Sequence, residues 1–150
     1  MSQSLTKLLV HLVYSTKERR PLITDVVREE IHRYSAGILK DMESPAILIN
    51  SVQDHMHILF LQSKNWAMKD IVEEVKKGTS RWIKKKGPEF RDFWWQAGYG
   101  AFSVSQSNVE QVTRYIRNQR EHHKKTTFQD EFLTMCRRYD VAIDEKTAWD

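Results

Sequence analysis

The sequence predicts an α+β fold of the ferredoxin-like, split βαβ type, in which helices flank an antiparallel sheet and extra helices follow at the C-terminus. Two observations lead to this prediction. Short segments rich in β-branched and aromatic residues alternate with longer stretches whose apolar residues recur at helical spacing, and the order is β-α-β-β-α-β-α. A chain of 150 residues is long enough for one domain with a sizeable core, so we expect a single domain over residues 1–150.

The first half of the chain supplies the first four elements. Residues 7–15 are rich in Val, Leu and Tyr, which is typical of a strand. After a charged loop, Thr24 or Asp25 caps a predicted helix that ends before Pro45. Its apolar positions follow helical spacing: Val27, Ile31, Tyr34, Ile38 and Met42. Residues 46–52 and 55–61 are two short strands, and their close spacing favours an antiparallel hairpin.

The second half adds helices and one more strand. A second amphipathic helix is predicted over residues 67–85. The aromatic segment 93–105 is predicted as the last strand, with a bulge or close backbone approach at its glycines. Ser107 and Glu110 have the S-x-x-E spacing of a capping box, which predicts the start of a third helix. A fourth helix over residues 127–139 and an irregular acidic end complete the chain.

Composition excludes several classes of protein. The single cysteine, Cys136, excludes an internal disulfide framework and is typical of a reducing compartment. No apolar run approaches the roughly 18 residues that a membrane span needs. The apolar stretch 8–14 contains His11 and lacks a small-residue cleavage site, so it is not predicted as a signal peptide. We expect a cytoplasmic protein without membrane contact.

The net charge of +4 conceals an uneven distribution. Residues 69–91 contain eight Lys and Arg against four acidic residues, and residues 111–125 contain five against one. Residues 128–150 reverse the balance, with six acidic residues against three basic ones. A basic run is usually a solvated helix face, so this asymmetry indicates an anionic partner only in combination with other signals.

His55 and His57 lie two residues apart in the third predicted strand. Because side chains alternate across a strand, both imidazoles point to the same face, as two ligands of one metal ion do. The alternative is a pair of histidines on a polar sheet face with no metal. The spacing of the two histidines by itself favours neither interpretation.

Tyr115 and Gln119 lie four residues apart in the third predicted helix, hence on one face and one turn apart. The alternative is a helix whose Val109, Val112 and Ile116 pack inward and leave the tyrosine half-buried at the edge.

The motifs and their order along the chain resemble those of the single-tyrosine, HUH-type transposases of small bacterial and archaeal insertion sequences. This group is related to REP-associated tyrosine transposases. The His-hydrophobic-His motif is His55-Met56-His57, and the run from Trp95 to His123 resembles the last strand and tyrosine-bearing helix of that family. Further matches lie at residues 11–14, 16–21 and 128–132. The resemblance covers nearly the whole chain and implies the HUH transposase fold over residues 1–150.

The resemblance also implies roles for individual residues. Tyr115 is the expected nucleophile, and His55, His57 and Gln119 are the expected ligands of a divalent metal, Mg²⁺ in the cell with Mn²⁺ as the alternative. In this family the tyrosine attacks a phosphodiester of single-stranded DNA, which leaves a 5′-phosphotyrosine and a free 3′-OH. Recognition of hairpin ends, and a homodimer whose tyrosine helix acts in trans, are implied in the same way. A free tyrosine is only about 0.1% ionised at pH 7 and is therefore a weak nucleophile. A metal that polarises the scissile phosphate is expected to compensate for this.

Contacts to DNA phosphates are expected from basic residues near the start, on the second helix and on the third helix. They are Lys17, Arg19, Arg20, Lys76, Lys77, Arg81, Lys84, Lys85, Lys86, Arg114, Arg117 and Arg120. Trp94, Trp95 and Tyr99 either stack on unpaired bases or pack in the core.

The remaining distinctive residues are interpreted as structural. His11 is expected to be a hydrogen-bonded structural histidine rather than a neighbour of the site, and His32 a surface residue of the first helix. Met68, Trp82 and Cys136 are assigned to packing.

A second functional class stays open beside the enzyme. A domesticated, non-mobile protein with the same fold binds hairpin DNA or structured RNA, or nicks DNA, without transposition. Hairpin binding that persists without cleavage when the histidine pair is removed favours this alternative.

Overall fold

Antiparallel strands form the centre of the fold in the computed structural model, which describes residues 2–150. In chain order the strands are β1 (Leu8–Ser15), β2 (Ala46–Ser51), β3 (His55–Gln62) and β4 (Gly100–Val104). Their order in the sheet is β2-β3-β1-β4, and each neighbouring pair is antiparallel. This is the split βαβ arrangement, so the predicted fold class and the predicted β2–β3 hairpin are confirmed.

The helices cover both faces of this sheet. Their bounds are α1 (Asp25–Asp41), α2 (Met68–Lys84), α3 (Val109–Arg117), α4 (Gln119–His122) and α5 (Phe128–Arg138). Helices α1 and α2 pack on one face, and residues of α3 and α5 pack on the other. The sheet is therefore buried on both sides, as the middle layer of three.

The alternation of β1 decides what each face carries. Val10, Leu12 and Tyr14 join the core beneath α1 and α2, whereas Leu9 and Val13 face the side of α3 and α5. The neighbouring strand β3 alternates in the same way, with Met56, Ile58 and Phe60 in the first core. Its odd-numbered residues, the predicted histidine pair among them, consequently face α3–α5.

The prediction of a strand over residues 93–105 is wrong in its first half. Regular pairing covers only Gly100–Val104, and Trp95 forms an isolated bridge with Thr16 beyond the end of β1. Gly98 then turns the chain with a φ of +86°, a conformation that glycine adopts without steric cost. The aromatic content of this segment serves packing, because Phe93 and Trp95 join the core on the α1–α2 side.

The predicted capping box and the unbroken third helix are also wrong. A 3₁₀ turn over Gln106–Asn108 precedes α3, the Ser107 hydroxyl pairs with that of Ser105, and Asn108 occupies the N-cap position. The helix then breaks at Asn118, which separates α3 from α4.

Two single-residue expectations have clear outcomes. Cys136 is buried and packs beside Phe102, as expected. His32 is half-buried and 2.8 Å from the Ser51 hydroxyl, so its assignment to the helix surface is wrong. Among residues 2–150, no helix combines the length and apolar character that crossing a membrane requires.

Gly100 tests how closely α5 packs on the sheet. A Cβ added there would lie 2.5 Å from Phe132 Cε2 and 2.9 Å from Phe102 Cε2, so Gly100→Ala forces two packed rings apart. We expect the free energy of unfolding to fall by about 1–3 kcal/mol, the usual cost of overpacking. Urea unfolding followed by circular dichroism measures it.

The matched control is Gly37→Ala. Nothing lies within 4 Å of a Cβ at this position in α1, and alanine is the better helix former. This variant is expected to gain about 0.5–1 kcal/mol. Equal stabilities of the two variants would contradict the close packing of α5 on β4.

Candidate functional site

The histidine pair lies on the α3–α5 face of the sheet and is fully buried. His57 sits opposite Val13 of the central strand β1, and His55 sits opposite Ser15. Both rings are thus held by backbone that is hydrogen-bonded on both strand edges. Their ring centroids are 5.1 Å apart, which confirms that they share one face.

An outer partner orients each ring of the pair through Nδ1. His55 Nδ1 lies 2.7 Å from Asp54 Oδ1, and His57 Nδ1 lies 2.8 Å from His11 Nε2. Both rings therefore present Nε2 toward α5. His11 is hydrogen-bonded as expected, but it also adjoins the site, which the favoured interpretation of the sequence did not include.

Glu131 of α5 brings a carboxylate into this cluster, where only 2% of the residue is exposed. Its Oε1 lies 3.0 Å from His57 Nε2 and 3.2 Å from His55 Nε2. His123, which follows α4, brings a third Nε2 to within 3.1 Å of the same oxygen and holds its own Nδ1 2.6 Å from the Thr126 carbonyl. Three imidazoles from two parts of the chain therefore surround one carboxylate oxygen.

Tyr115 and Gln119 reach the other carboxylate oxygen. The Tyr115 hydroxyl and the Gln119 amide both donate to Glu131 Oε2, the latter at 3.2 Å. The side-chain oxygen of Gln119, Oε1, lies 3.3 Å from His55 Nε2. All four residues that the resemblance singled out are thus together in one cluster of a single chain.

Asn50 of β2 anchors the break between α3 and α4. Its side-chain amide donates to the carbonyls of Ile116 at 2.7 Å and Arg117 at 3.3 Å. The last carbonyls of a helix have no partner within the helix, so this amide satisfies groups that would otherwise be unpaired. It also fixes the helix that carries Tyr115 to the sheet that carries the histidines.

The charges in the cluster depend on one another. Burial by itself raises the pKa of Glu131, but hydrogen bonds from His123, His55 and His57 outweigh it and hold that pKa well below its usual range. Burial lowers the pKa of His55, yet the hydrogen bonds to Asp54 and Glu131 outweigh it and raise that pKa to about 9. Glu131 is therefore ionised, and His55 carries the compensating positive charge.

Three other members of the cluster, His11, His57 and Tyr115, stay neutral. Burial lowers the pKa of His11 to about 3. Burial also lowers the pKa of His57. Burial, and then the charge and hydrogen bond of Glu131, raise the pKa of Tyr115. In this arrangement the tyrosine is a protonated hydrogen-bond donor, and it becomes a nucleophile only when that proton is taken up.

The donor set of the cluster fits a divalent metal. One ligand atom from each of His55, His57, His123 and Glu131 lies within 4.8 Å of all the others. Imidazole nitrogen and carboxylate oxygen together suit first-row transition metals, and the Nδ1 partners fix the rings as outer partners do in metal sites.

A cleft of about 820 Å³ opens beside the cluster. His123 and Asp54 line its inner end, and Arg19, Lys124 and Lys125 line its walls. A cleft with three cationic side chains beside a buried carboxylate-histidine cluster can hold a polyanion.

The basic residues expected to contact phosphates have different surroundings. The Lys76 ammonium donates to the carbonyls of Gln96 at 2.8 Å and Gly98 at 2.6 Å, and burial lowers its pKa to about 8. Lys86 and Arg120 form ion pairs with Glu30 and Asp25. Of the basic residues predicted to contact DNA, Lys77 and Arg81 are exposed on α2, and Arg114 and Arg117 are exposed on α3. Lys85, which directly follows α2, is also exposed.

The three aromatic residues for which the sequence left stacking or core packing open have different surroundings. Trp95 packs in the core against Tyr14, with its ring nitrogen donating to Thr79 at 3.0 Å. Trp94 is 53% exposed and lies beneath the Lys84 ammonium, which is 3.1 Å from its ring centroid. Tyr99 is also exposed.

Reasoning from the sequence missed Glu131, His123 and Asp54. Asp54 precedes the histidine motif directly, and His123 lies four residues after Gln119, so both had a local signal. Glu131 had none. It appears in the sequence as one of two acidic residues in the first turn of α5, where acidic side chains are ordinary.

Comparison with known proteins agrees with the fold. Residues 4–119 match the family described as "Transposase IS200 like". The ISDra2 transposase TnpA of Deinococcus radiodurans is 22% identical over 116 residues, which cover 74% of this chain and 83% of the relative.

Two solved structures share the fold. One, from Deinococcus radiodurans and assigned as a transposase, has a TM-score of 0.61 and 23% identity, with 79% of this chain and 98% of that chain covered. The other is a REP-associated tyrosine transposase bound to a REP hairpin, with a TM-score of 0.61 and 12% identity, covering 82% of this chain and 74% of that chain.

Asn50→Ala tests whether β2 holds the tyrosine helix. The substitution leaves the carbonyls of residues 116 and 117 without their side-chain donor, so the free energy of unfolding is expected to fall by about 1–2 kcal/mol. Amide hydrogen exchange is expected to accelerate across residues 115–122 more than in β1. The matched control is Asn65→Ala, whose amide pairs with exposed Glu43 at 2.9 Å. Similar exchange in both variants would show that the break between α3 and α4 does not depend on Asn50.

Proposed function

The chain belongs to the IS200-like transposase family, and from that premise we propose that it cleaves and rejoins single-stranded DNA through Tyr115, with a divalent metal held by His55, His57 and Gln119. One observation carries the proposal. The Tyr115 hydroxyl donates to the same carboxylate that both imidazoles of the histidine pair contact, so nucleophile and metal-binding groups meet at one point.

The proposed reaction exchanges one phosphodiester for another. The Tyr115 oxygen attacks the phosphorus atom, the bond from phosphorus to the 3′ oxygen breaks, and a 5′-phosphotyrosine and a free 3′-OH result. Glu131 Oε2 already accepts the hydroxyl hydrogen of Tyr115, which is the geometry needed to take its proton. A bound divalent metal supplies positive charge that polarises the scissile phosphate.

Rejoining reverses these steps. A 3′-OH attacks the phosphotyrosine, the phenol oxygen leaves, and the proton returns to it from Glu131. The phosphorus keeps the same number of ester bonds throughout, so strand exchange needs no external energy source. This suits a nucleophile that is restored at the end of each cycle.

The DNA partner is proposed to be single-stranded DNA with hairpin ends. The cleft beside His123 has the cationic walls that a sugar-phosphate backbone requires, with Arg19, Lys124 and Lys125 in place. The exposed basic residues of α3 lie on the same side of the sheet as the histidine cluster. Those of α2 lie on the opposite side, where Trp94 beside Lys84 offers an exposed ring for an unpaired base. The REP hairpin held by the similar solved transposase supports hairpin recognition.

The metal is proposed to be Mg²⁺ or Mn²⁺. Mg²⁺ is favoured by its abundance in the cytoplasm, where we place the protein, and Mn²⁺ by the affinity of imidazole ligands. The alternative function, hairpin binding or nicking by a domesticated protein, uses the same fold and cleft and differs in its chemistry.

Tyr115→Phe tests the nucleophile. The wild-type protein, incubated with Mn²⁺ and a single-stranded oligonucleotide that spans an element end, is expected to give a covalent adduct that resists denaturing electrophoresis. The variant lacks the attacking oxygen and is expected to lose the adduct by at least about 10³-fold. Tyr99→Phe, an exposed tyrosine outside the cluster, serves as the matched control.

Two results would contradict this prediction. An adduct that survives in Tyr115→Phe assigns the nucleophile to another residue. Hairpin binding without any adduct in the wild-type protein, unchanged by His55→Ala, supports the non-catalytic alternative.

Mixing two inactive variants tests whether the tyrosine acts within its own chain. Tyr115 lies beside the histidine pair of the same chain, with ring centroids of Tyr115 and His57 5.8 Å apart. We therefore propose action in cis, where the resemblance implied a homodimer acting in trans. Tyr115→Phe mixed with His57→Ala is expected to restore no adduct. Restored adduct formation would show that a dimer exchanges its tyrosine helices.

A further inference from the structure

Resting on the proposed function, we propose that His123 and Glu131 are additional ligands of the metal that the histidine pair holds. The site then takes a first-row transition metal, Mn²⁺ or a later ion, in preference to Mg²⁺.

The Nδ1 atom of His123 must carry a hydrogen. Its partner at 2.6 Å is the backbone carbonyl of Thr126, which only accepts hydrogen bonds. In the neutral ring, Nε2 then has a lone pair, and that lone pair points at Glu131 Oε1 from 3.1 Å. Two acceptors approach each other to this distance when a proton or a metal ion lies between them.

His55 repeats the same arrangement on the opposite side. Its Nδ1 donates to the Asp54 carboxylate at 2.7 Å, so the proton that makes this ring positive in the metal-free protein is on Nε2. When a metal ion replaces that proton, Nε2 presents a lone pair 3.2 Å from Glu131 Oε1. His57 is compatible with this pattern, because its Nδ1 partner is another imidazole that can donate or accept. Three Nε2 lone pairs and one carboxylate oxygen thus converge.

A divalent cation satisfies these groups better than separate protons. A carboxylate oxygen offers about two lone pairs, and here three imidazoles approach it at 3.0–3.2 Å. One metal ion accepts a lone pair from each ring and from the carboxylate. The outer partners of the three rings, Asp54, His11 and Thr126, then do what outer partners do in metal sites: they fix the tautomer and the ring orientation.

The donor types indicate the class of metal. Mg²⁺ prefers oxygen ligands, whereas imidazole suits Mn²⁺ weakly and Co²⁺ and Zn²⁺ progressively better. A set of three imidazoles and one carboxylate is therefore expected to bind metal in the order Mg²⁺, Mn²⁺, Co²⁺, Zn²⁺, from weakest to tightest. With the histidine pair and Gln119 alone, two imidazoles would discriminate less.

Calorimetric titration of the full metal-free chain with Mn²⁺ and with Zn²⁺, in the absence of DNA, tests the proposal. Loss of an outer partner alone weakens metal binding about 10- to 100-fold, so His123→Ala and Glu131→Gln are each expected to weaken it by at least about 10-fold. Asp130→Asn removes an exposed carboxylate beside Glu131, and His32→Ala removes a histidine of α1; both are expected to bind as the wild type does.

A second measurement needs no variant. In wild-type protein with ¹⁵N-labelled histidines, Zn²⁺ is expected to shift the Nε2 resonances of His55, His57 and His123 and to leave those of His32 in place. This result stands even where a substitution prevents folding.

Three outcomes would overturn the proposal. The first is unchanged affinity in His123→Ala and Glu131→Gln while His57→Ala abolishes binding. The second is tighter binding in Glu131→Gln, which would make the carboxylate a competitor of the metal. The third is a shift confined to two imidazoles. Failure of the proposed function is separate: it appears as normal metal binding in a protein that forms no DNA adduct, or as binding that survives His57→Ala.

Discussion

The ionised carboxylate of Glu131 is the interaction on which the site depends. It lies between the sheet, which supplies His55 and His57, and the helices α3 and α4, which supply Tyr115 and Gln119. Burying a charge is costly unless it is paired and hydrogen-bonded. Here the imidazoles of His55, His57, His122 and His123 surround the carboxylate together with a hydroxyl and an amide. Because each of these groups satisfies the same carboxylate, none can move away without leaving a buried polar atom unpaired.

The packing around α5 explains how this carboxylate reaches its position. Phe128, Met135 and Cys136 bury one side of the helix against Val13 and Phe102, and Gly100 lets the rings approach the sheet closely. Trp149 extends this contact from the end of the chain, where it meets Phe128 and Phe132. The C-terminal helix is therefore part of the site, although residues 120–150 lie beyond the segment that matches the family.

The sequence predicted those features that depend on local periodicity. The strand period of two placed His55 and His57 on one face. Tyr115 and Gln119 also meet in the cluster, although the helix breaks between them at Asn118. Predictions that depended on a single local motif were less secure. A 3₁₀ turn forms at Ser107 in place of the capping box that the S-x-x-E pattern predicted. In the aromatic segment, Phe93 and Trp95 pack into the core instead of extending the sheet. In the aromatic segment tertiary contacts outweighed local preference.

What the sequence determined by itself was the order of the elements and the faces of the strands, because these follow from alternation and spacing along the chain. The four residues of the proposed site came from the resemblance to a family and not from their spacing. Only the tertiary structure showed that Glu131 and His123 belong to the same cluster as the histidine pair. It also showed that the Lys76 ammonium donates its hydrogen bonds to backbone carbonyls. Glu131 lies 74 residues from His57 along the chain, and their contact exists because α5 folds back over β1 and β4. No local pattern encodes such a contact, since the ordinary surface glutamate of a helix and the buried carboxylate of a site have the same sequence.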